Sequence, residues 1–185
     1  MMQTAAKLTS ELFWVSALVT ALIDVGLVLL LVWQIKPIRF RQLKWPVAGA
    51  SLVFWSAMWA WAMWGSFWDL AYRYIFPDWA RWVVPPSYGL LFGAVGLGIW
   101  WLAIRLPGNA VVNYCLLGGL ASLPGHLWAI YGREMFHKVP ILQGVRPASA
   151  LVFGLFEFIV YWSLILIIAV LLRRGWDWWR YWRRV

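Results

Sequence analysis

Residues 12–35 read LFWVSALVTALIDVGLVLLLVWQI, with Asp24 as the only charge. A hydrocarbon core of about 30 Å is crossed by roughly 20 apolar residues in a helix. This run meets that length, and four more stretches follow it, at 46–68, 88–106, 111–131 and 148–172. Lipid offers the backbone no hydrogen-bond partners, so each must be helical. The sequence predicts an all-α polytopic membrane protein: one transmembrane domain over 1–185, five helices, interfacial external segments and an amphipathic tail at 173–185. The first run is about twice the length of a signal-peptide core and follows Lys7 and Glu11. It lacks a small-residue cleavage site and reads as a retained helix.

Composition agrees: 64% of residues are hydrophobic, 12% are charged and 18 of the 185 are tryptophan. A net charge of +9 would suit a nucleic-acid binder, but the basic residues flank the spans and alternate with tryptophan. They read as topology and headgroup signals, and no nucleic-acid partner is expected. Ten lysines and arginines fall on the side of Lys36, Arg39, Arg41, Lys44, Arg105 and the tail, against six on the other. The richer side is expected to be cytoplasmic, with the N-terminus extracytoplasmic and the C-terminus inside. The single cysteine, Cys115, forms no intramolecular disulfide.

Two external connections are more than links, residues 69–87 and residues 132–147 (GREMFHKVPILQGVRP), the second carrying His137. Residues 69–87 (DLAYRYIFPDWARWVVPPS) are expected to hold a short interfacial helix, capped by Asp78, with Trp79, Trp82 and Val83 on one face. Pro85–Pro86 would then stiffen the start of the third span. Pro107–Gly108–Asn109 is a tight turn that makes an antiparallel hairpin of spans three and four. In the tail (RRGWDWWRYWRRV), Trp178, Trp179, Tyr181 and Trp182 share one arc of a helical wheel, opposite Arg173, Asp177, Arg180, Arg183 and Arg184. With Trp176 out of place on the wheel, the pattern suits a helix lying on anionic inner-leaflet headgroups.

Gly89, Gly93, Gly96 and Gly98 give span three a small-residue surface for close helix approach, as do Gly118, Gly119 and Ala121 in span four. Trp61, Trp64 and Trp68 share one face of span two, with Trp55 and Trp59 opposite. Such deep indoles either pack between helices or line a cavity for a flat apolar ligand. Pro124–Gly125 is expected to loosen span four beside His126.

Ionisable groups inside a membrane are costly and mark functional sites by default. Asp24, His126 and Glu157 are the candidate catalytic groups, and Trp55, Trp59, Trp61, Trp64 and Asp69 the candidate ligand-binding ones. All four polar residues fall in the outer half under the proposed orientation. Each also has a structural reading. A buried acid is able to pin helices as a neutral hydrogen-bonding group, His126 to pack beside the proline break, and Asp69 to pair with Arg73 four residues on. Glu134-x-x-His137 has di-iron spacing but no second copy, so no metal is assigned. Only His126 is available within the spans for haem, no nucleotide motif occurs in a soluble context, and no nucleophile-elbow pattern supports Ser122 or Ser149 with His126. The sequence therefore implies no cofactor.

Two functional expectations follow. One is an outer-half cavity that binds a lipid-like or isoprenoid-like molecule, with cofactor-free isomerisation or cyclisation by proton transfer as its chemistry. The other is an accessory or assembly subunit whose partners are membrane lipids and other membrane subunits. Proton-coupled transport through Asp24 and Glu157 is a third and weaker expectation, since the inner half lacks polar groups.

Overall fold

The computed structural model describes residues 2–139 and 146–183, and every regular element among them is helical. In chain order these are α1 (Met2–Gln34), α2 (Pro37–Arg41), α3 (Lys44–Trp64), α4 (Ser66–Leu70), a 3-10 turn (Tyr72–Tyr74) and α5 (Ala80–Ala103). Then come α6 (Ala110–Leu120), α7 (Leu123–Leu127), a π-helical turn (Trp128–Gly132), α8 (Met135–Lys138) and α9 (Pro147–Trp182). Five stretches are long and apolar enough to cross a membrane: Trp14–Gln34, Lys44–Trp64, Ala80–Ala103, Ala110–Gly132 and Pro147–Trp182. The end of the bundle holding α4, the 3-10 turn and the π turn is called the loop end. The opposite end, holding α2 and Arg173, is the tail end.

Several boundaries differ from expectation for local reasons. The second candidate span stops at Trp64, because Gly65 takes an extended conformation there and its N–H closes on the Trp61 carbonyl at 2.8 Å. The chain then turns into α4, which carries Trp68. The interfacial helix and the third span are one element, since α5 starts at Ala80 and continues through Pro85 and Pro86. Proline's fixed φ suits a helix, and the missing N–H groups free only the Arg81 and Trp82 carbonyls near its start. Asp78 is not the cap: the N-cap is Trp79, with no side-chain bond. Trp79, Trp82 and Val83 do share an exposed face.

Span four breaks before Pro124, as its sequence implies, between α6 and α7. The tail is not a separate element. α9 continues through Gly175 to Trp182, and its 36 residues extend about 54 Å at 1.5 Å per residue. Arg173 Nε holds Asp177 Oδ2 at 3.1 Å across one turn, and the Trp176 and Trp179 rings stack at 5.1 Å. Arg180 lies over Trp176 and Arg183 over Trp179. Arg184 lies outside the described residues.

Glycines set the closest approaches. A Cβ at Gly89 would meet Ser56 and the Leu52 carbonyl, and one at Gly96 would meet Ser51, so α5 lies directly on α3. Gly98 faces open space and takes no part. On α6, Gly118 leaves a slot for the Trp162 ring, and Gly119 receives Ile159 and Leu155 of α9. Trp162 is fully buried there, edge-on to Tyr114 at 5.6 Å between centroids. The α5–α6 hairpin turns through Gly108, whose φ of +91° favours glycine. Asn109 caps α6 by accepting the Val111 N–H at 2.9 Å.

Candidate functional site

Glu157 and Tyr161 stand one turn apart on α9 and share a face, so the Tyr161 hydroxyl donates to Glu157 Oε1. The 3-10 turn brings Tyr72 within electrostatic reach of the same carboxylate. Burial pushes the Tyr72 phenol up to about 12, with Glu157 and Tyr88 adding to it. Tyr72 therefore remains a neutral hydroxyl at physiological pH.

Aromatic rings form a circuit around this group. Tyr72 meets Trp59 at 5.4 Å, Trp59 meets Tyr88 at 4.5 Å, and Tyr88 meets Phe92 at 5.9 Å. Phe92 stacks on Trp55 at 4.4 Å, and Trp55 is edge-on to Tyr161 at 5.6 Å, which returns the circuit to Glu157. Trp55 is buried, whereas Trp59, Tyr72, Tyr88, Phe92, Glu157 and Tyr161 are all half-buried. Core rings such as Tyr114, Phe40 and Trp162 are fully enclosed.

His126 borders this set through Phe158, edge-on at 5.5 Å. It belongs to α7, between the proline break and the π turn, and its ring lies against Gly154, where a Cβ would strike the imidazole. Its Nδ1 is 3.1 Å from the Ser122 carbonyl. A carbonyl only accepts, so Nδ1 is the donor in this contact. The Ser122 hydroxyl is committed to the Gly119 carbonyl at 2.6 Å, so it is not paired with the imidazole.

Asp24 lies elsewhere. It shares the buried seam of α1 with Ala17 and Leu31, is only 4% exposed, and approaches Cys115 of α6. Ser163 of α9 donates to Cys115 Sγ at 3.5 Å. Position 163 is about 120° round α9 from position 157, so Asp24 and Glu157 address different sides of that helix. Neither Asp24 oxygen has a hydrogen-bond partner among the described residues. The three candidate catalytic groups are thus divided: Glu157 and His126 border one aromatic set, and Asp24 stands apart.

The remaining candidates are peripheral. Asp69 pairs with Arg73 at 3.5 Å, as its spacing predicts, with both side chains exposed. Trp61 and Trp64 are 59% and 50% exposed and meet Phe67 and Trp82. Glu134 pairs with Lys138 at 3.1 Å, and among the described residues no three His, Cys, Asp or Glu side chains gather.

Sequence reasoning passed over Tyr72, Tyr88, Tyr161 and Trp162. The i,i+4 spacing of Glu157 and Tyr161 was the available signal for one of them. It also missed Arg81, whose guanidinium lies over Trp68 at 4.2 Å and faces Trp64 at 5.6 Å. Comparison with known proteins finds no matching family model, curated relative or solved structure.

Proposed function

We propose that this protein binds a lipid-like or isoprenoid-like hydrophobic molecule at the loop end, with the molecule's polar end on Glu157. One observation carries the reading: a carboxylate bonded to a tyrosine inside the membrane-length region, ringed by aromatic side chains that are only half-buried. An intramembrane acid is expensive, and a polar handle beside flat apolar surfaces is the usual make-up of a small-molecule site. Tyr72 supplies a neutral hydroxyl, and His126 an imidazole at its border. The reading is of binding, and Asp24 does not join the set.

The test is native mass spectrometry with lipid extraction on the purified protein. Wild type and Asp24→Asn should both retain a stoichiometric hydrophobic molecule that Glu157→Gln loses. Equal loss in both variants, or no retained molecule in wild type, overturns the proposal.

A second reading has its own support. Only 17% of the α1 span is buried, against 33% for each of the others, and its seam holds the unpartnered Asp24. An accessory subunit would use this lightly held helix against a partner. A larger assembly in mild detergent that dissociates on substitution of Trp14 and Leu22, both exposed on α1, would support it. A monodisperse single chain would reject it.

A further inference from the structure

At the tail end, a cavity of about 330 Å³ lies between the end of α1, α2 and α9. Arg39, Arg173 and Arg174 line it with Gln34 and Gln42, over an apolar floor of Ile35, Leu43 and Val170. Asp177 is the one acid among its lining residues, so three arginines leave a net charge of +2. The volume falls within the ~300–1,000 Å³ typical of small-ligand sites.

The arginines stand on fixed supports. Phe40, next to Arg39, is fully buried, its carbonyl accepts from Trp100 Nε1 at 3.1 Å, and its ring meets Tyr114 edge-on at 5.9 Å. The short α2 is therefore a braced turn that presents Arg39 from a constant position. Across the cavity, Arg173 Nε is held by Asp177 Oδ2 at 3.1 Å, which fixes the plane of that guanidinium. Guanidiniums bind phosphate oxygens through paired N–H groups, and the glutamine amides add neutral donors.

We propose that this cavity binds one anionic glycerophospholipid, with its phosphate on Arg39, Arg173 and Arg174. The depth of the site selects a lipid over a soluble anion. Gln34 ends the apolar run of α1, Arg173 directly follows Leu171 and Leu172, and exposed Leu30 and Trp33 lie just beyond the cavity on α1. A phosphate at this level leaves its acyl chains alongside apolar helix surface. Basic pockets between transmembrane helices bind anionic headgroups in this manner.

The experiment is native mass spectrometry of the full chain, purified and titrated with phosphatidylglycerol or phosphatidylcholine. Wild type should keep one phosphatidylglycerol preferentially. Arg39→Gln with Arg174→Gln should weaken that retention roughly thirtyfold, from the usual contribution of two basic residues near an anionic surface. Gln42→Glu, which keeps every arginine, should also weaken it. Arg180→Gln with Arg183→Gln removes the same charge outside the cavity and should leave it unchanged. Equal retention of phosphatidylcholine, equal loss in the Arg180 and Arg183 variant, or displacement by inorganic phosphate at matched concentration would each overturn the proposal.

Discussion

The two sides of α9 meet their neighbours on opposite terms. Toward α5 and α6, Trp162 fills a slot opened by Gly118 and Gly96, and close packing joins the helices with the Ser163–Cys115 hydrogen bond beside it. Toward α1, the seam runs through Ala17, Asp24 and Leu31, with an acid at its middle that no described residue answers. Lipid tails are as apolar as leucine, so helices in a bilayer associate through close packing and hydrogen bonds and not through water exclusion. One side of α9 has the close packing. The other carries an ionisable group without a hydrogen-bond partner among the described residues, where the tight side leaves only neutral groups such as Trp162 Nε1 without one, and α1 is the least enclosed of the five span-length stretches.

The contrast is best broken at its tight side. Trp162→Ala should destabilise the bundle by about 3–5 kcal/mol, the usual range for emptying a buried large aromatic site. Thermal unfolding in detergent reads this directly, and an unchanged transition would mean that the slot contributes nothing. Asp24→Leu should move the other way, gaining about 1–3 kcal/mol by removing a buried unsatisfied acid. A loss instead would show that Asp24 makes a stabilising contact. A smaller effect, about 1 kcal/mol lost, is expected for Asn109→Ala, which removes the cap that starts α6 on the tight side; unfolding at matched detergent concentration checks it.

The last effect shows only in alkali, outside the physiological range. Folding raises the Tyr72 phenol from 10.0 to about 12, so the folded state holds that proton more tightly than the unfolded chain. The associated stability is fully present below pH 10 and is lost as pH rises through about 12. Tyr72→Phe should flatten stability over that window, and a slope identical to wild type would show that the phenol is not buried beside Glu157.

Much of the architecture was legible because hydropathy and glycine spacing are local signals. The number of span-length helices, the turn at Pro107–Gly108–Asn109, the break before Pro124 and the Asp69–Arg73 pair all depend on residues close in sequence. The glycine faces of α5 and α6 were legible for the same reason, apart from Gly98. Helix rotation was not, because polar and apolar faces scarcely differ in these stretches. The Trp162 slot and the separation of Asp24 from Glu157 both depend on it. Asp78 misled because the cap pattern was read against a helix end that the prolines do not create. The continuity of the tail with α9 was not legible either, because an arc of indoles on a wheel is equally compatible with a helix that simply continues.

That continuation ties the two ends of the molecule mechanically. From Glu157 to Arg173 is about 24 Å of unbroken helix at 1.5 Å per residue. No hinge lies between them to absorb a twist, so a screw rotation that re-aims Glu157 turns Arg173 through the same angle. A headgroup gripping Arg173 would therefore act as a brake on the aromatic end, and a ligand seated at Glu157 would fix the direction in which the arginines point.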